Sequence, residues 1–70
     1  MLFRSGSSGD QVVKLQKCLN KIIGSDLDND GEFGPATEKA VRSFQKKYKL
    51  EVDGIVGPKT RAKIKKLYEN

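Results

Sequence analysis

The densest group of coordinating side chains in this chain lies in one short stretch, Asp26-Leu27-Asp28-Asn29-Asp30-Gly31-Glu32-Phe33. Carboxylates at its first, third and fifth places, Gly at the sixth and an apolar residue at the eighth match the first half of a calcium loop. In such a loop hard oxygen ligands wrap a divalent cation around a sharp glycine turn. The second half departs from the pattern. Thr37 stands at the twelfth place, where a bidentate Glu would close the shell, and Glu38 lies one residue beyond. Asp26, Asp28, Asp30 and Glu32 repel one another unless water, nearby lysines or a cation offsets their charge. The loop is therefore either a solvated turn beside basic helices or a calcium site that orders the loop without catalysing.

Other chemistry is excluded by missing parts. The chain has no His and a single Cys, so zinc-finger, Ser-His-Asp and Cys-His arrangements each lack a required group. The one acidic cluster has no partner base and sits in a turn rather than a cleft, so an enzyme is not expected. Cys18 cannot close an intramolecular disulfide, which leaves stability to packing, to a bound ion or to a covalently attached neighbour.

The elements that position these residues are encoded twice. Asp30-Gly31-Glu32-Phe33-Gly34-Pro35-Ala36-Thr37 returns 23 positions later as Asp53-Gly54-Ile55-Val56-Gly57-Pro58-Lys59-Thr60. Each copy joins an Asp-Gly turn to a Gly-Pro helix start, with proline suited to the first helical position, so the repeating unit is turn, then helix. Three helices are predicted. The first runs from about Asp10, as N-cap, to Ile23 with Gly24 as its stop, and its apolar stripe is Val12, Leu15, Leu19, Ile22 and Ile23. The second runs from Gly34-Pro35 to about Lys49 with Thr37, Ala40, Val41, Phe44 and Tyr48 on one face. The third starts at Gly57-Pro58 and turns Thr60, Ile64 and Leu67 inward.

The helices also echo one another. Val12-Val13-Lys14-Leu15-Gln16, Val41-Arg42-Ser43-Phe44-Gln45 and Ile64-Lys65-Lys66-Leu67-Tyr68 are each apolar at the first and fourth places. Leu27, Phe33, Leu50, Val52, Ile55 and Val56 are expected to fold back and close the ends of the bundle. The Asp-Gly turns allow brief extended pairings, but no alternation is long enough for a sheet. The fold class is thus all-α, a small three-helix bundle with an internal pseudo-repeat in a single domain over residues 1–70.

Seventy residues with 36% hydrophobic and 33% charged positions make one small domain, mostly surface, with no membrane-spanning run. A formal charge of +5 favours anionic partners, among them nucleic acid, acidic lipid and the acidic polymers of bacterial walls. Met1-Leu2-Phe3-Arg4 and the Ser/Gly run after it hold no apolar core of signal-peptide length, so export by the general route is not expected of the chain as written. A basic helical nucleic-acid-binding module is the rival reading. Against it, Lys59, Arg61, Lys63, Lys65 and Lys66 are spaced around much of the last helix instead of along one groove-facing edge.

Gly6-Ser7-Ser8-Gly9-Asp10-Gln11-Val12, Leu15-Gln16, Leu19, both Asp-Gly…Gly-Pro…Thr units, Ala40-Val41 and Phe44-Gln45 occur in an order that closely resembles the peptidoglycan-binding domain of cell-wall hydrolases. The resemblance covers about residues 4–68. It implies a non-catalytic, monomeric three-helix module that holds a covalently linked lytic enzyme against bacterial peptidoglycan, acting at the cell wall or as part of a phage lysin. A similar fold in some metalloprotease prodomains keeps a protein-interaction role open. For a wall binder, Arg42 and Lys59, beside the helix starts, are candidates for stem-peptide carboxylates. Gln16 and Gln45 either hydrogen-bond loop carbonyls or contact ligand. Tyr48 and Tyr68 either pack at the core edge or offer a ring to a sugar face.

Overall fold

The computed structural model describes residues 3–69; Met1, Leu2 and Asn70, the outermost positions of the expected domain, lie outside the described residues. It contains three helices, α1 (Asp10–Ile23), α2 (Pro35–Lys47) and α3 (Pro58–Glu69). Both Gly-Pro pairs start helices as the repeat predicts, because proline's fixed φ suits a first turn whose N–H has no partner anyway. Asp10 is the first residue of α1 and not its cap: Gly9, with φ 111°, occupies the cap position, and no side chain closes it. Gly24 ends α1 in the left-handed conformation, φ 67°.

Helix α2 stops two residues before the expected end. Lys49 adopts φ 58°, a left-handed conformation at a non-glycine residue. Its N–H donates to Lys46 O (3.3 Å) and the Leu50 N–H to Gln45 O (2.8 Å). This pair of bonds is the Schellman closure that satisfies the last helical carbonyls, here formed around lysine where glycine is the usual choice.

The three helices turn their apolar faces to one centre. Val12, Leu15 and Leu19 of α1, Ala40, Val41 and Phe44 of α2 and Ile64 of α3 form the core with Phe33 and Val56 from the turns. Phe44 is fully buried, so Phe44→Ala would leave a cavity costing about 3–5 kcal/mol. Ile22, Ile23, Leu27, Leu50 and Leu67 are half-buried around this centre. Val52, expected to close an end, instead stays 45% exposed; it follows the α2 stop in a loop that faces water.

The segment before α1 does more than lead into it. Phe33 and Val56 occupy equivalent places in the two repeats, and residues 3–9 pair with both. Phe3 and Val56 exchange two backbone hydrogen bonds, Phe3 N–H to Val56 O (3.2 Å) and Val56 N–H to Phe3 O (2.7 Å). Gly6 N–H donates to Phe33 O and Phe33 N–H to Ser7 O, each 2.9 Å. The brief extended pairings allowed by the sequence are these contacts, antiparallel bridges at Phe3–Val56 and Ser8–Glu32. Phe3 is thereby drawn into the core.

Candidate functional site

Two buried amides hold the turns. The Gln16 Nε2 lies within hydrogen-bond reach of Asp30 Oδ1 (3.1 Å), Glu32 O (3.0 Å) and Thr37 Oγ1 (3.1 Å), while its Oε1 accepts from the Gly31 N–H (3.0 Å). Gln45 repeats the pattern one unit later. Its Nε2 reaches Asp53 Oδ1 (2.9 Å), Ile55 O (3.0 Å) and Thr60 Oγ1 (3.3 Å), and its Oε1 accepts from Asp53 N–H (3.1 Å) and Gly54 N–H (3.0 Å). Both side chains are 1% exposed. The glycine of each turn has φ above 70°, and a Cβ on Gly31 would stand 3.1 Å from Gly9 O and from Val13 Cγ2. Each turn thus needs both its glycine and its glutamine.

The aspartates complete these units as acceptors. Asp30 Oδ1 takes the Glu32 N–H and Asp53 Oδ1 the Ile55 N–H, both at 2.9 Å. These backbone donors first, and the glutamine amides second, hold each carboxyl below its ordinary pKa by favouring the ionised form. Asn20 performs a related task on the longer first connection: its Oδ1 accepts from Leu27 N–H (2.9 Å) and Ser25 Oγ (2.8 Å), and its Nδ2 donates to Leu27 O (3.0 Å).

On the surface, α1 and α3 enclose an open groove of about 800 Å³. Helix α1 contributes Gln11, Lys14, Lys17 and Cys18, and α3 contributes Pro58, Arg61, Ala62, Lys65 and Tyr68. Spacings of three, four and seven put each set on one helical face. Phe3, Leu15, Val56 and Ile64 form the apolar floor. Burial pushes the Cys18 thiol above its ordinary pKa, with Lys21 opposing, so it is a neutral wall residue. A smaller depression lies across the α2–α3 connection, where Lys49, Asp53 and Lys59 meet.

With this geometry in place, the family model for the peptidoglycan binding domain matches residues 8–64. The chain belongs to the peptidoglycan-binding domain family. It is 43% identical over 65 residues to a spore cortex-lytic enzyme of Halalkalibacterium halodurans, covering 93% of this chain and 20% of that protein. It is 46% identical over 67 residues to a zinc D-Ala-D-Ala carboxypeptidase of Streptomyces albus G, covering 93% and 26%. Among solved structures, the SleB N-terminal domain superposes with a TM-score of 0.92 at 37% identity, over 97% of this chain and 93% of that one. The chain spans 20% and 26% of the length of these two curated relatives. It matches their peptidoglycan-binding part and contains no catalytic domain.

Within this peptidoglycan-binding domain the candidate ligand residues do not converge on one place. Gln16 and Gln45 are buried, and their amides are committed to the turns. Arg42 pairs with Glu38 one helical turn away, Nε to Oε2 at 3.3 Å. Tyr48 is half-buried against Phe44, ring centroids 4.8 Å apart, with Lys47 and Lys63 Nζ over its ring. Lys59 lies in the smaller depression. Lys14, Lys17 and Lys65 line the groove instead, and in the sequence a lone lysine in a basic helix resembles a solvated face. The available signal was the matched spacing of polar positions on the two helices.

The calcium pattern is likewise not assembled. Among the described residues no three acidic or thiol side chains come together to hold a metal, and Asp30 Oδ1 already accepts two hydrogen bonds. Asp26, Asp28, Asp30 and Glu32 are all exposed. Calcium needs six or more converging oxygens; hydrogen bonds with Asn20 and Gln16 tie the loop to α1.

Proposed function

We propose that this domain holds a covalently linked lytic enzyme on bacterial peptidoglycan, acting as a monomer at the wall. The observation that carries the reading is the α1–α3 groove: an open, cation-rimmed surface suits an extended polymer better than an enclosed small molecule. Such a groove works by proximity. Weak attachment to a polymeric substrate raises the local concentration of the tethered enzyme near the bonds it cuts, so modest affinity suffices. The same logic applies whether the enzyme reaches the wall by export or, as a phage lysin, by release from inside the cell.

Co-sedimentation with insoluble peptidoglycan stripped of teichoic acid tests this, at about 0.15 M salt so that distant charges are screened. Pelleting that survives salt is the expected result. A chain that stays in the supernatant at every salt concentration refutes the reading.

A further inference from the structure

Resting on that reading of the groove as the wall-binding surface, we infer that it recognises the stem peptide of peptidoglycan through its carboxylates, and not the sugar strand. Four cations, Lys14, Lys17, Arg61 and Lys65, line the groove against one acid, Glu69. Among the described residues, Lys14, Lys17 and Lys65 have no carboxylate within 4.0 Å. The glycan strand is built of neutral N-acetylated sugars, whereas stem peptides are short, alanine-rich chains with free carboxylates. The rim therefore complements the peptide, and the floor of Phe3, Leu15, Val56 and Ile64 suits its methyl groups.

The aromatic residues point the same way. A sugar reader needs an open ring face, yet Phe3 is 9% exposed and the Arg61 guanidinium lies 5.9 Å from its ring centre. Tyr68 has Lys21 Nζ 4.7 Å from its centroid, which occupies one of its faces. Tyr68 also stands where Gln16 and Gln45 stand in the other two helices. Unlike those buried amides, it lines the groove and is 41% exposed.

The test compares three solid ligands in sedimentation: intact teichoic-acid-free peptidoglycan, the same material with its stem-peptide carboxylates converted to neutral amides by carbodiimide and ethanolamine, and walls that retain teichoic acid. Binding to intact peptidoglycan with at least about tenfold loss on the amidated peptidoglycan is expected. Lys14→Glu with Lys65→Glu should weaken binding about tenfold or more, while Lys39→Glu with Lys46→Glu, equal in charge change but on α2, should lose about threefold at most. Circular dichroism confirms that each variant is folded, and the paired Gln substitutions Lys14→Gln and Lys65→Gln provide a milder version. Equal binding to the amidated peptidoglycan, or equal losses from both Glu pairs, overturns stem-peptide recognition while leaving wall binding intact. Binding only to walls with teichoic acid also overturns it. Failure to bind any of the three removes the proposed function as well.

Discussion

Replacing Gln45 by Leu keeps the volume of the side chain and deletes its amide. The substitution leaves Gly54 N–H and Thr60 Oγ1, both buried partners of that amide, without their hydrogen bonds, and loosens Asp53 and Ile55 besides. A buried polar group left unsatisfied costs about 1–3 kcal/mol, so two cost about 2–6 kcal/mol. A domain of this size has about 3.5–10 kcal/mol of stability in total. Since 1 kcal/mol shifts Tm by about 4–8 °C in small domains, Gln45→Leu should lower Tm by about 8 °C or more. Gln16→Leu should do the same within a few degrees, because it holds an equivalent turn. Far-UV circular dichroism during a thermal scan measures both. Tm values within about 3 °C of the parent chain would refute the claim that these amides hold the turns. Well below its Tm, each variant should still sediment with peptidoglycan, because neither side chain reaches the surface; selective loss of binding in a folded variant would make them ligand contacts.

Asp30 and Asp53 keep their charge to lower pH when folded than when unfolded, their carboxyls being held down by the turn N–H groups and glutamine amides. Their contribution is therefore complete above the unfolded carboxylate range near about 4 and fades as pH falls through the lower folded values. Urea midpoints should be flat above about pH 5 and fall below about pH 4, and Asp30→Asn with Asp53→Asn should shrink that fall. Lys49→Gly removes left-handed strain at φ 58° and should raise stability by about 0.5–1 kcal/mol in urea unfolding. Calcium at about 1 mM would add about 2.7 kcal/mol through a site of about 10 µM affinity; because the loop acids do not converge, the expected thermal shift is zero.

The repeat made the architecture readable. Gly-Pro pairs and Asp-Gly turns are local chemistry, so the starts of α2 and α3 and the left-handed stop at Gly24 could be read from neighbouring residues alone. What escaped depended on distant partners. Phe3 had no assigned role in the sequence, and its place in the fold comes from Val56, more than fifty positions away. The end of α2 was set by Lys49 taking a conformation that lysine seldom adopts. For Gln16 and Gln45 the sequence offered two roles, and only the three-dimensional path of the turns decides between them. The groove was hardest to see, because it is made by two helices whose facing positions are separated by more than forty residues.

Phe3 at one limit of the described chain and Tyr68 and Glu69 at the other line the same groove. A protein engineer can therefore fuse a cargo at either side of this module and have it emerge beside the α1–α3 groove. With a flexible linker of ten residues the cargo would sample a radius of about 16–19 Å, comparable to the module's own extents of 25 × 23 × 21 Å. Orientation of the fusion then matters little, and linker length becomes the variable that sets how far along the wall a tethered active site can graze.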